Sequence, residues 1–294
     1  MRVLSYLFLL LTFSISASET SSLYQKFEQQ KSQYIGNAWY CYSDSLSMMV
    51  EQKTGEKFSS GFIEVLTGVG LGAFEFGGEL YLSNVNPADG IRKALGFLGY
   101  EYSESLASEV SSYPAVVGPL IAELLPPAGR VGGDHYILLK EKQGGVYTAH
   151  DPAGYPFLKI TQASLAAASN IMLYSKTMAW SNPKKVGKQA SSSTVMSYFK
   201  SIYKQNSWEV INTYALRENY NLQFLNHFTF PVCSKRSLDF SRLFKASGKN
   251  SLAELFRKKA LACAEGLSEP KNALLKLSRL EKLIESELFN STAH

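Results

Sequence analysis

Three residues of this chain have types and positions suited to nucleophilic acyl chemistry: a cysteine, a histidine and an aspartate. Cys41 lies in the stretch GNAWYCYSDSLSMMV, at the start of a helical pattern that ends at 54–55. His135 and Asp151 lie at the outer ends of two short apolar runs. In such a set the sulfur attacks a carbonyl carbon, the imidazole takes the thiol proton and the carboxylate orients the imidazole.

The two apolar runs flank EKQGG at 141–145, which predicts a β-hairpin. A turn centred near Gln143 pairs residues whose numbers sum to about 286, and this register sets His135 opposite Asp151. Side chains alternate along a strand, so the same face is expected to carry Ile137, Leu139, Tyr147 and Ala149. A register slipped by one residue would turn Asp151 to the other face and bring His150 forward.

Cys41 is predicted to be the first residue of its helix. The unpaired N–H groups and the dipole at a helix N-terminus stabilise a thiolate, and a nearby imidazolium lowers the thiol pKa further. The alternative is a small buried apolar residue, the commoner role of a lone cysteine. His135 has a similar alternative as an ordinary core or surface histidine.

The elements that must position these residues predict an α+β fold, with a helix first and a sheet afterwards. Segment 86–98 is predicted to be a helix with a proline in its first turn and Gly99 after its end. Segments 113–120 and 157–160 are predicted strands, and 163–168 a short helix. The glycine-rich stretch 68–78 lacks a phosphate-loop pattern, so it favours close approach of the backbone to a strand or a substrate.

Charge separates the chain into two halves. Residues 1–175 hold 11 Lys and Arg against 16 Asp and Glu, and residues 176–294 hold 19 against 9. The second half has helical periodicity and no nucleic-acid motif. Its lysines and arginines are either an ordinary solvated face, the commoner case, or a contact for an anionic surface. We predict a catalytic domain at 19–180, a linker at 181–188 with proline, glycine and lysines, and a helical domain at 189–294.

Residues 1–18 have the charge, apolar core and small residues of a signal peptide, which predicts an exported protein, periplasmic or secreted. No later segment is long and apolar enough to span a bilayer, so no transmembrane segment is predicted. The chain has three cysteines. The economical arrangement for an exported chain is a disulfide between Cys233 and Cys263 with Cys41 free.

Five short motifs resemble the butirosin biosynthesis protein H-like family, a papain-like group. They are WYCYSDSLS at 39–47, TGVGLGAFEF at 67–76, VVGPL at 116–120, HYI at 135–137 and HDP at 150–152. The resemblance covers about residues 35–175, in the family's order. It implies a papain-like domain and a cysteine acyltransferase, with bacteriocin-processing cysteine peptidases as a more distant likeness. The family's namesake takes its acyl group from a cytoplasmic carrier protein, so an exported chain would need another donor, such as a lipid or a peptide amide.

The resemblance implies that Cys41 is the nucleophile, His135 the base and Asp151 its orienter. The Cys41 backbone N–H would stabilise the oxyanion, together with Asn37 or, as a second choice, Gln33. Water as acceptor gives hydrolysis, whereas an amine or hydroxyl gives transfer. The expected partner is an acyl or peptide substrate, with no cofactor and no metal. The alternatives are a cysteine peptidase and a non-catalytic binding module on the same fold.

Overall fold

The computed structural model describes residues 22–29, 40–128, 135–169 and 176–290 of the 294-residue chain. The predicted signal peptide at 1–18, Asn37 and Gln33 lie outside these residues. Within them the fold is α+β: helices pack against antiparallel sheets and make up most of the C-terminal part. The predicted fold class is confirmed at this level.

In the described residues the helices are α1 (Leu23–Glu28), α2 (Cys41–Thr54), α3 (Ser60–Thr67), α4 (Pro87–Leu98), α5 (Gln162–Ser169), α6 (Ser192–Ile202), α7 (Ser207–Ala215), α8 (Leu222–Phe224), α9 (Phe230–Ala246), α10 (Asn250–Glu265) and α11 (Pro270–Asn290). A π-helical turn, Leu225–Thr229, joins α8 to α9. The strands are β1 (Phe74–Phe76), β2 (Glu79–Tyr81), β3 (Tyr100–Leu106), β4 (Ala115–Leu120), β5 (His135–Gln143), β6 (Val146–Asp151), β7 (Tyr155–Thr161) and β8 (Met178–Lys185).

Helix α4 shows why the sequence could place several elements correctly. Its N-terminus is capped by the Asn86 side chain, which accepts from the Ala88 N–H, and Pro87 occupies the first turn. Its C-terminus ends at Gly99, whose φ of 81° lies in the left-handed region. The predicted segment 86–98 therefore agrees with the structure, because capping residues act locally.

The larger sheet is six-stranded in the order β3-β8-β4-β5-β6-β7, and all of its pairs are antiparallel. The β5–β6 hairpin turns at Gly144 and Gly145, with φ of 55° and 82°. Leu138 pairs with His150, and a bulge follows before Glu141.

The predicted register of this hairpin is therefore wrong, because β5 extends to Gln143 and the turn lies at Gly144 and Gly145, so the pairs next to the turn sum to 289. The bulge adds one residue to β5 and lowers this sum by one. The observed pairs near the site sum to 288, and this register, continued, sets Asp151 opposite Ile137. Asp151 is thus offset by two residues from His135, which keeps the two on one face. The predicted apolar face is confirmed, since Ile137, Leu139, Tyr147 and Ala149 share one core cluster.

The two faces of the sheet pack against different elements. On one face Val116, Tyr136 and Leu138 join a core that includes Leu46 of α2. The other face packs against α5 through Leu165. Helix α2, which begins at Cys41, therefore packs against the sheet face that carries Tyr136 and Leu138 of β5.

The predicted linker at 181–188 is largely a strand. Residues Met178–Lys185 form β8, which lies between β3 and β4. Its Trp180 is fully buried and pairs with Val116. The proline and lysines indicated a linker. The segment forms a strand nevertheless, because it buries the Trp180 indole and pairs with a strand on each side. Only residues 186–188 of the predicted linker follow the strand.

The helical half does not pack separately from the first half. One core cluster contains Leu46 and Phe62 together with Phe199, Phe240 and Phe244 from α6 and α9. The glycine-rich stretch lets the backbone of the first half come close to α9 of the second half, since a Cβ on Gly70 would lie 2.9 Å from the Phe240 ring. The predicted close approach is thus to a helix of the second half, not to a strand.

The cysteines are arranged as predicted. Cys233 of α9 and Cys263 of α10 form a disulfide, and Cys41 is free. Among the described helices, none is long and apolar enough to cross a membrane.

Candidate active site

His135 and Asp151 are in direct contact. The imidazole Nε2 lies 2.8 Å from Asp151 Oδ1, which also accepts from the Ala153 N–H at 2.8 Å. The Asp151 side chain is fully buried, and that of His135 is 12% exposed. A carboxylate held by these two contacts fixes the ring orientation. Because Nε2 is engaged by Asp151, a proton exchanged with a reacting group would move at Nδ1.

Cys41 is the first residue of α2, as predicted, and its side chain is half-buried. The backbone N–H groups of Tyr136 and Tyr42 lie close enough to the sulfur to lower the thiol pKa. The Tyr136 N–H belongs to the peptide bond that joins His135 to Tyr136. Ser45, one turn further along α2, donates to the Tyr136 carbonyl at 3.4 Å. Helix α2 thus holds the thiol beside the peptide bond that joins His135 to Tyr136.

The prediction that the Cys41 pKa is lowered is wrong. Burial raises the pKa of the thiol from its ordinary value to about 12, and the carboxylates of Glu64 and Asp44 raise it further. The N–H groups of Tyr136 and Tyr42 lower it, but by less than burial raises it. The thiol is therefore protonated at neutral pH, and a base must remove its proton before it can attack a carbonyl.

A buried ion pair lies beneath the first turn of α2. Glu64 of α3, fully buried, accepts from Arg236 Nε at 2.7 Å, from Ser43 Oγ at 2.5 Å and from the Tyr42 hydroxyl. This pair was not among the residues predicted from the sequence. The available signal was an acidic residue inside an apolar helix, FIEVL at 62–66, which must find a buried partner.

The residue before Cys41 is also held by α9. The Tyr40 hydroxyl donates to Asp239 at 3.0 Å, and Lys235 Nζ lies 3.0 Å from the centre of the Tyr40 ring. The Tyr40 N–H donates to Asp44 at 3.2 Å. Burial raises the pKa of Asp239 and lowers that of Lys235. Side chains of the helical half therefore contact both neighbours of the candidate nucleophile.

His150 is not the histidine that meets Asp151. Its Nδ1 accepts from the Phe157 N–H at 3.4 Å, and its ring lies edge-on to Phe157. Burial and the neighbouring Lys140 lower its pKa. Asn37, the predicted oxyanion donor, lies outside the described residues. Among the residues that the structure describes, no group of three or more His, Cys, Asp and Glu side chains could hold a metal ion.

No family model matches the chain. It is similar to a protein of Bacillus subtilis strain 168 that is described as "Uncharacterized protein YobF". The two are 32% identical over 250 residues, which cover 72% of this chain and 81% of the relative. This identity over most of both chains is enough to establish relatedness, so the chain belongs to the same family as YobF of Bacillus subtilis.

Proposed function

We propose that this protein is a cysteine-dependent acyl-transfer enzyme with a papain-like arrangement of Cys41, His135 and Asp151. The observation that carries the proposal is the hydrogen bond between His135 Nε2 and the buried Asp151 carboxylate. The Cys41 thiol lies beside the peptide bond that joins His135 to Tyr136. The motifs similar to the butirosin biosynthesis protein H-like family give further support.

The reaction begins with a protonated thiol. His135 takes the thiol proton at Nδ1 as Sγ bonds to the substrate carbonyl carbon, and Asp151 stabilises the imidazolium that forms. The Cys41 backbone N–H, in the first turn of α2, stabilises the oxyanion, with Asn37 proposed as a second donor. The leaving group then takes the proton from His135, and an acyl-thioester remains on Cys41.

The second step passes the acyl group to an acceptor. His135 removes a proton from water, an amine or a hydroxyl, whose oxygen or nitrogen then bonds to the acyl carbon. The Sγ–C bond breaks, and the thiol regains its proton from His135. Water gives amide or ester hydrolysis, including peptidase activity, and an amine or hydroxyl gives transfer.

We also propose that the enzyme is exported and works in the periplasm or outside the cell. The signal-peptide pattern at 1–18 supports this, as does the Cys233–Cys263 disulfide, because such bonds persist in oxidising compartments. The substrate would then be an acyl or peptide donor available outside the cytoplasm. The basic residues of the second half are suited to an anionic surface near that substrate.

The test is an activity-based acyl probe followed by mass spectrometry of the adduct. We expect an adduct on Cys41 in the wild-type chain and none in Cys41→Ala. In His135→Gln the rate of adduct formation should fall by at least about 100-fold. The matched control is His150→Gln, which changes the other histidine of the hairpin and leaves the rate unchanged. An adduct rate that is equal in His135→Gln and His150→Gln contradicts the proposed base.

The second candidate is a non-catalytic binding module. The raised pKa of Cys41 favours it, because a thiol that stays protonated is a poor nucleophile without help. A peptide library and a set of acyl esters incubated with wild type and Cys41→Ala separate the candidates. Turnover of any member by the wild type alone supports the enzyme, and no turnover together with no probe adduct supports the binding module.

A further inference from the structure

We propose that the buried Glu64–Arg236 pair positions Cys41, and that this is what the helical half contributes to the site. The inference rests on the proposed role of Cys41 as nucleophile. Glu64 lies on α3 and Arg236 on α9, so the pair joins the two halves of the chain directly beneath the start of α2.

The hydrogen bonds of the pair are directed at the two residues that follow Cys41. One Glu64 oxygen accepts from the Tyr42 hydroxyl and from Arg236 Nε, and the other accepts from Ser43 Oγ. Arg236 Nη2 also donates to the Tyr42 hydroxyl, at 3.2 Å. Tyr42 and Ser43 are both buried. Their side chains therefore cannot move without breaking contacts to a buried charge.

Stability alone does not account for such a pair. The desolvation cost of a buried ion pair roughly cancels its attraction, so apolar residues of similar volume often give equal or greater stability. Charged hydrogen bonds differ from apolar contacts in being directional. Here they fix the rotation and height of the first helical turn, and hence the place of the Cys41 sulfur.

The space around Arg236 is shaped to hold its side chain in one position. A Cβ on Gly70 would lie 3.0 Å from Arg236 Cδ, so any larger residue there would push the guanidinium stem away. On the other side of the first turn, the Tyr42 ring lies edge-on to the Tyr136 ring, with centroids 5.8 Å apart. The guanidinium, the tyrosine and the strand that carries His135 thus form one continuous series of contacts.

The pair also acts on the Cys41 thiol through charge. The charged and titratable groups around the first turn of α2 are Asp44 and Tyr42 on α2 itself, Glu64 on α3, and Lys235 and Arg236 on α9. The Glu64 carboxylate raises the thiol pKa. It also raises the pKa of the neighbouring Tyr42, which Arg236 lowers. Removal of the Glu64 charge should therefore make the thiol easier to ionise, a change that a purely structural role would not produce.

The experiment uses the full chain with its disulfide intact, so that Cys41 is the free thiol. The variants are Glu64→Gln, which removes the charge, and Tyr42→Phe, which removes the hydroxyl and keeps the ring. The matched control is Glu281→Gln, because Glu281 is also a buried carboxylate that pairs with a cation, Lys259, and accepts from a tyrosine hydroxyl. The measurement is the rate of iodoacetamide alkylation of Cys41 against pH, with circular dichroism to check folding.

We expect Glu64→Gln to shift the alkylation profile to lower pH by about one unit or more. Tyr42→Phe should raise the rate at pH 9 severalfold, because the first turn is no longer tied to the pair. Glu281→Gln should lower the melting temperature and leave the profile unchanged. Wild-type profiles in Glu64→Gln and Tyr42→Phe overturn the proposal; if Glu64→Gln does not fold, Tyr42→Phe alone decides.

This result is separable from the test of the proposed function. Alkylation reports on the thiol itself and needs no substrate. A shifted profile without any acyl adduct would retain the coupling and remove the enzyme. An adduct with unshifted profiles would retain the enzyme and remove the positioning pair.

Discussion

The protonated state of Cys41 leads to a direct kinetic prediction. Its pKa is raised from 9.0 to about 12, a difference of three units. Only the thiolate reacts with iodoacetamide, and each unit changes its population about tenfold below the pKa. At pH 8 the native chain should therefore be alkylated at Cys41 about 1000-fold more slowly than the same chain unfolded in guanidinium.

The assay is intact-mass measurement of the alkylated fraction over time, with the disulfide left oxidised in both samples. The native rate should keep rising with pH through 9 and 10. A native rate within tenfold of the unfolded rate at pH 8, or a plateau between pH 6 and 7, would refute the reasoning. Such a plateau would mean that a thiolate–imidazolium pair already exists in the resting protein.

The same pKa difference sets the sign of a stability change. Between pH 9 and pH 12 the unfolded thiol releases its proton and the folded thiol keeps it. The folded state therefore binds more protons, and the contribution of Cys41 makes stability fall as pH rises through this range. In Cys41→Ala this part of the decline should be absent from denaturant titrations at pH 8 and pH 10.

Three further predictions concern the site and the core. Asp151→Asn should lower the rate of adduct formation on Cys41 about 100- to 10,000-fold and leave the circular dichroism spectrum unchanged. The control Asp89→Asn, which changes an exposed aspartate, should react at the wild-type rate. Equal rates in the two variants would contradict the role of Asp151. Reduction of the disulfide, whose cysteines are 30 residues apart, should lower the free energy of unfolding by about 3 to 4 kcal/mol, measured by urea titration with and without reductant. Phe240→Ala should lower the free energy of unfolding by about 3 to 5 kcal/mol. Circular dichroism and tryptophan fluorescence should still report a single unfolding transition, because one core joins both halves. Two separate transitions would contradict that shared core.

Local signals in the sequence were enough to predict several elements. Capping residues and glycine ends located α4, and the apolar run at 113–120 predicted the buried strand β4. The free Cys41 and the Cys233–Cys263 bond followed from counting cysteines. These predictions agree with the structure because each depends on interactions within one element or on simple pairing.

Long-range packing accounts for the predictions that failed. The hairpin register was wrong because the turn lies at Gly144 and Gly145 and not near Gln143, and the bulge after Leu139, which then shifts the pairing by one residue, cannot be read from turn length. Residues 181–185 were predicted to belong to a linker, but they are part of β8, whose neighbours β3 and β4 lie more than 55 residues away along the chain. Such pairing leaves no local sequence signal beyond the apolar Trp180.

The sequence by itself identified the candidate residues: a cysteine at the start of a helix, and a histidine and an aspartate at the outer ends of a hairpin. Only the tertiary structure decided the environment of that cysteine. Glu64, Asp44 and Arg236 meet around it from three helices, and burial between those helices and β5 holds the thiol protonated. The physical reason is that desolvation and charge depend on what surrounds a group in space, and neither neighbour on α3 or α9 is close to Cys41 in the chain.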